Sequence, residues 1–344
     1  MCNMAAYAGT EPAAPKLFRM LQSQEYLGGG HYNGIATIHE GKIHMIKVIG
    51  STADLLRRHP EVLDLPGTVG IAHSRTPGVD ADEWAHPFFS ADEKVAYCAN
   101  GGAGYFKDTE YQTTYDEFKN AGINFRTERQ EDNAVYPVMK DGNCVHFSEI
   151  MAYVVGKLHN SNLPLREAMH QGALKLPSEI AALALAEDEP DTVSAIRINQ
   201  PLMWGRDKSG FYLATSAFAL ENEKLNWINR VPHACTMSMS KDDIVFSSMD
   251  EFMPYFMDHE PLTAIFAEFD KMLADGSDYE VDKFCKAALR CWPEGKIAVA
   301  NMIAYEYLRE KMHSGTMEYF DVPTPGSGAG LTAPQRRYRK KIQA

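Results

Sequence analysis

The chain has 344 residues, with 34 Lys and Arg against 46 Asp and Glu, a net charge of −12. That sign argues against nucleic acid as the principal partner. With 45% hydrophobic and 23% charged residues it has the composition of a globular protein, and no run approaches the ~18 apolar residues of a membrane span.

The first twenty residues carry no basic-then-apolar leader, so a cytoplasmic location is expected. Cysteines stand at positions 2, 98, 144, 235, 285 and 291 and form no C-x-x-C pair, so no metal is expected. A chain this long needs no disulfide for stability, and a reducing compartment suits it.

At the leading end, Cys2 follows Met1, and a residue this small permits removal of the initiator. The freed residue would carry a thiol and an α-amine of pKa ~7.7–8.0, nucleophile and base in one. By position alone, a Cys in a fraying terminus is the plainer alternative.

Next, residues 16–27 carry apolar side chains at Leu17, Met20, Leu21 and Leu27, a helical spacing ended by Gly28. Segments 35–39 and 42–49 flank Glu40-Gly41 as a β-hairpin. Residues 52–57 suit a short helix. Residues 68–73 form a small-residue strand leading to Arg75, and 95–99 a buried strand leading to Asn100-Gly101-Gly102. Residues 115–121 read as a helix and 126–143 as polar and irregular.

Ser148 is expected to cap a helix through residue 158, with Glu149 in its first turn. A second helix follows over 165–176, then strands over 180–186, 193–198, 202–205 and 211–216. This succession suggests helices packed outside two stacked sheets. Beyond about residue 250 three helical segments follow, 262–273, 281–289 and 297–312. The end is rich in Pro and Gly, then basic at Arg336, Arg337, Arg339, Lys340 and Lys341, and is expected to be a disordered tail. Gly326–Gly330 lacks the flanking strand and helix of a phosphate loop.

Several stretches, in order, resemble the class II glutamine amidotransferase domain, in the form of the glutaminase half of glucosamine-6-phosphate synthase. They are Cys2, Glu25-Tyr26, Gly34-Ile35-Ala36, the run from Gly67 to Arg75, Ala85-His86-Pro87, the strand ending in Asn100-Gly101, and Gln200-Pro201-Leu202 through Ser216. The resemblance covers roughly residues 2–248. It implies an α+β fold, a four-layer αββα N-terminal-nucleophile hydrolase sandwich. The domain is expected over 2–249, a helical appendage over 250–320, and the tail over 321–344.

The resemblance also implies the chemistry. Cys2 would attack a side-chain amide, while Asn100 and Gly101 offer N–H groups to the oxyanion, each worth about 10²–10³ in rate. Arg75 has the planar fork for a carboxylate. His73, Thr76, Gly102 and Phe147 complete the expected substrate wall, while His73 and His86 read as structural hydrogen-bonding groups rather than bases. No cofactor is required.

Three departures stand out. Phe147 falls where the family places the Asp that holds the substrate's α-amine; a different alignment puts Gln130 there, beside Glu131 and Asp132. Thr76 replaces a Trp, and no acceptor domain is evident. The expected activity is glutamine hydrolysis through a Cys2 thioester, with ammonia passed to a separate synthetase chain. Hydrolysis of a different amide, or a non-catalytic scaffold, are the alternatives. Association into a homo-oligomer is left open.

Overall fold

The computed structural model describes residues 2–107, 109–130 and 136–341. Two antiparallel sheets stack at its centre. The first has the spatial order Trp227–Arg230, Met203–Asp207, Gly210–Ala214, Asn3–Gly9, Val69–Arg75, Tyr32–His39, Lys42–Ile49. The second runs Ile244–Ser248, Cys235–Met239, Val193–Arg197, Glu179–Ala186, Val95–Gly102, Phe88–Phe89.

Side-chain alternation fixes which faces meet. In Asn3–Gly9, Met4, Ala6 and Ala8 face the second sheet, and Ala5 and Tyr7 face outward. In Val95–Gly102, Ala96 and Cys98 point into the same inter-sheet core, while Val95, Tyr97 and Ala99 face outward. Ala6, Ala8, Ala36, Ala96, Ala181 and Ala195 bring the sheets close in this core, so adding volume at these positions forces the sheets apart.

The outer face of the first sheet is covered by helices Ala13–Gln22 and Ala217–Asn222. Helices Phe147–His159 and Leu165–Lys175 cover the second. The four-layer αββα sandwich is therefore as expected. The expected helix over 16–27 splits: the α-helix ends at Gln22, and Glu25–Leu27 form a single 3-10 turn. The cap differs too. Phe147–His159 is capped by the His146 ring, which accepts from the Ser148 N–H at 3.1 Å, and Ser148 lies inside the helix.

The C-terminal part holds helices Leu262–Leu273, Val281–Leu289 and Ala300–His313. Ala300–His313 reaches the helix Ala217–Asn222 on the first-sheet side, with Met302 in the same apolar cluster and Arg309 paired to Glu221 at 2.8 Å. The expected disordered tail is corrected through Lys340. Met317–Pro325 and Thr332–Lys340 form a β-hairpin, with Tyr279–Glu280 alongside. Its basic residues find acidic partners: Arg336 with Asp321, Arg337 with Glu280 and Arg339 with Glu318. Tyr338 is fully buried. The charge run is thus a cross-strand ladder, and the part beyond residue 249 is mixed rather than helical. Residues 342–344 lie outside the described residues. Among those described, no helix is long and apolar enough to cross a membrane.

Candidate active site

Cys2 immediately precedes the central strand Asn3–Gly9. In the adjacent strand, Ser74 pairs with Asn3 and His73 with Met4. Arg75 and Thr76 therefore come alongside Cys2. From the facing sheet, alternation continues past Ala96 and Cys98 to turn Asn100 inward. Its Nδ2 donates to the Cys2 carbonyl at 2.8 Å and to Thr215 Oγ1 at 3.0 Å.

The Cys2 end of the chain is tied down by residues that sequence reasoning missed. Thr215 Oγ1 accepts from the Met4 N–H at 2.7 Å, and Gln24 Nε2 donates to the Met4 carbonyl at 2.8 Å. Gln24 Oε1 in turn accepts from the Ser216 hydroxyl at 3.1 Å. Gln24 follows a helix that already carries Lys16, Arg19 and Gln22, so no sequence signal set it apart; Thr215 offered only its polarity after the apolar strand Gly210–Ala214.

The partly buried Cys2 sulfur lies 3.4 Å from Thr76 Oγ1 and receives the Thr76 N–H at 3.4 Å. Burial raises the thiol pKa, but interaction with His73 and the Thr76 hydroxyl outweighs it and holds the pKa down at about 6. The other thiols differ: burial pushes Cys235 and Cys285 up to about 12, and raises Cys98 as well.

Beside Cys2 is a cavity of about 420 Å³, walled in part by Arg75, Thr76, Gly101, Gly102, His146 and Phe147. Of the expected substrate wall, Arg75, Thr76, Gly102 and Phe147 line it. His73 does not: its Nε2 meets the Ala99 carbonyl at 3.1 Å and its Nδ1 meets His86 Nδ1 at 3.1 Å. Gln130 is also away from the cavity, exposed and hydrogen-bonded to Asn143 Oδ1 at 2.6 Å. Glu131, Asp132 and Met1 lie outside the described residues.

Arg75 is 2% exposed. Its guanidinium sits 4.4 Å from the Tyr32 ring centre and 5.3 Å from that of Tyr136. Nη1 donates to the Trp84 carbonyl at 3.2 Å, while the buried Nη2 has no hydrogen-bond partner among the described residues. An uncompensated donor on a buried cation is costly, and a carboxylate would satisfy it.

Gly101 has φ +103°, and a Cβ there would lie 2.0 Å from the Glu179 carbonyl oxygen. Only glycine fits. Across the cavity, the Glu149 carboxylate accepts from the Arg126 N–H, the Thr127 N–H and the Thr127 hydroxyl at 2.8, 2.9 and 2.6 Å. This fastens the start of helix Phe147–His159. Burial drives His86 and His146 well below the usual imidazole pKa, so both are neutral. Among the described residues lining the cavity there is no carboxylate.

A scan against protein-family models finds no match. The glutamine–fructose-6-phosphate aminotransferase [isomerizing] of Rhizobium meliloti (strain 1021) is 31% identical over 225 residues, covering 64% of this chain and 32% of that protein. The enzyme of the same name from Bartonella henselae is 25% identical over 268 residues, covering 76% and 38%. The chain thus spans about a third of the length of the curated relatives it first matches.

Among solved structures, the glutamine phosphoribosylpyrophosphate amidotransferase of B. subtilis, complexed with ADP and GMP, superposes with a TM-score of 0.59 at 14% identity, over 96% of this chain and 68% of that one. The fold is that of a class II glutamine amidotransferase. The allosteric regulatory enzyme of purine biosynthesis gives a TM-score of 0.58 at 14% identity, over 80% and 58%. In this amidotransferase fold, the chain's own Cys2, Asn100, Gly101 and Arg75 come together at one end of the sandwich.

Proposed function

We propose that the chain hydrolyses the side-chain amide of glutamine through a Cys2 thioester and delivers the ammonia to a separate synthetase chain. The observation that carries this reading is the meeting of Cys2 with Asn100 and Thr76 at a cavity holding the unsatisfied guanidinium of Arg75.

With Met1 removed, the α-amine of Cys2 takes the thiol proton. The thiolate attacks the amide carbon, and negative charge moves to the carbonyl oxygen. Gly101 and Asn100 are the donors for that oxygen. In the observed state both Asn100 amide protons are committed, to the Cys2 carbonyl and to Thr215. Asn100 therefore reaches the oxyanion only by releasing one of them. The intermediate collapses by breaking the C–N bond, and the α-ammonium passes its proton to the leaving nitrogen. Water then attacks the thioester, freeing glutamate and the Cys2 thiol.

Arg75 binds the substrate's α-carboxylate in this scheme. A second reading, hydrolysis of an amide with no free ammonium, is favoured by one observation. Phe147 stands in the wall, edge-on to Tyr111 at 5.6 Å, where the resembled family carries an acid.

The test is ammonia release from glutamine by the isolated chain, against Cys2→Ala, with N-acylated glutamine in parallel. Release that requires Cys2 supports the proposal. Release only from the acylated amide supports the second reading. Equal rates with and without Cys2 overturn both.

A further inference from the structure

The segment Gly326–Gly330 has no place in the chemistry above, yet it closes on the site. The hairpin that carries it is firmly seated. Arg336 stacks between Tyr26 and Tyr319, 3.6 and 3.8 Å from their ring centres, and pairs with both oxygens of Asp321 at 2.7 and 2.8 Å. Pro334 lies so close to Gly30 that a Cβ there would come within 2.7 Å of its ring.

From this base the tip reaches the loop that follows Arg75. Ser327 Oγ accepts from the Gly78 N–H at 3.1 Å, across 249 residues of sequence. The same hydroxyl lies 3.2 Å from His31 Nδ1. One hydroxyl has a proton to give His31 and lone pairs to receive Gly78, so both contacts are served at once. Leu331 packs on the cluster containing Tyr32, Val79 and Trp84, which walls in Arg75.

The loop so held touches both reacting ends of the site. Thr76 donates its N–H to the Cys2 sulfur. Gly78 passes over the Arg75 guanidinium so closely that a Cβ would sit 2.4 Å from Nη2. A shift of the Gly78 backbone therefore moves the roof over Arg75 and the donor to Cys2 together.

We infer that Ser327 is a positioning residue for substrate binding: through Gly78 it holds the Thr76–Asp80 loop in register with Arg75 and Cys2. Residues 317–340 are then a clasp for the site. As applied to an amide substrate this rests on the hydrolytic reading above. A single hydrogen bond sets the scale of the effect, roughly three- to tenfold in binding.

The experiment measures inactivation of the full chain by a glutamine-mimicking diazo-ketone, resolved into KI and kinact, for wild type, Ser327→Ala and Ser327→Thr. Iodoacetamide modification of Cys2, by intact mass, runs in parallel. Ser327→Ala is expected to raise KI roughly three- to tenfold, leave kinact within about twofold, and leave the melting temperature unchanged. Ser327→Thr, which keeps the hydroxyl, is expected to restore KI.

Equal KI in wild type and Ser327→Ala, or failure of Thr to restore it, overturns the inference. If wild type takes no diazo-ketone label, the hydrolytic reading fails. The clasp is then judged by limited proteolysis at the Thr76–Asp80 loop. Faster cleavage in Ser327→Ala but not in Ser327→Thr supports it, and equal cleavage overturns it.

Discussion

Asn100 donates its side-chain amide to the main-chain carbonyl of Cys2 at 2.8 Å, joining residues 98 positions apart. The bond crosses from one sheet to the other and fixes the nucleophile's backbone at the rim of the cavity. Thr215 completes the link by accepting from both Asn100 and the Met4 N–H. Asn100→Ala removes the anchor and the proposed oxyanion donor together. Amide hydrolysis should fall by about 10²–10³. Thr215→Val leaves two buried donors short of an acceptor and should cost about 1–3 kcal/mol in urea unfolding. Unchanged turnover in Asn100→Ala would exclude it from the chemistry.

The Cys2 thiol, raised by burial but lowered further by His73 and Thr76, has a pKa of about 6. Its rate of reaction with iodoacetamide should rise through that pH and then flatten. Acidification below the midpoint protonates the nucleophile and slows it. Cys235 and Cys285, pushed up by burial to about 12, should stay unmodified across the same range. Thr76→Val keeps the N–H but loses the hydroxyl, and should move the midpoint upward. Intact-mass measurement against pH checks all three.

Arg75 offers a buried fork with one nitrogen unsatisfied among the described residues. Arg75→Lys keeps the charge and loses the fork. A lost charge-assisted hydrogen bond is worth about 1.5–3 kcal/mol, so KM for a carboxylate-bearing amide should rise roughly tenfold to a hundredfold. The iodoacetamide rate at Cys2 should not change. An unaltered KM would remove Arg75 from substrate binding.

Gly101 occupies a positive φ with the Glu179 carbonyl oxygen 2.0 Å from where a Cβ would stand. Gly101→Ala must displace the strand from its neighbour, at a cost of roughly 1–3 kcal/mol. Because the displaced N–H is the proposed oxyanion donor, labelling at Cys2 should fall more than the lost stability accounts for. Thermal melting and diazo-ketone labelling of the same samples separate the two effects.

The sandwich was legible in the sequence where small and apolar residues ran continuously, as in the strands leading to Arg75 and to Asn100. Strand Cys235–Met239 instead alternates, with Cys235, Met237 and Met239 facing the inter-sheet core. Its short polar-looking composition concealed that. The C-terminal hairpin escaped because Arg336, Arg337 and Arg339 look solvated until their cross-strand acids are placed opposite them. Cys2, Arg75 and Asn100 could be picked out as candidates because the stretches carrying them resemble, in order, those of the class II glutamine amidotransferase domain; alone, a leading Cys, an Arg and an Asn-Gly turn each have a plainer reading. Thr215 and Gln24 could not, since their roles are hydrogen bonds to main chain that only the folded register creates. His146 was hidden for a similar reason: a ring acting as a helix cap resembles any other loop histidine.

The most direct test of the account is the intact mass of the chain, as isolated from cells, after exposure to a glutamine-mimicking diazo-ketone. The account predicts one adduct, located on Cys2, on a chain that has lost Met1, and none on Cys2→Ala. An unlabelled chain, or a label that persists in Cys2→Ala, would contradict it.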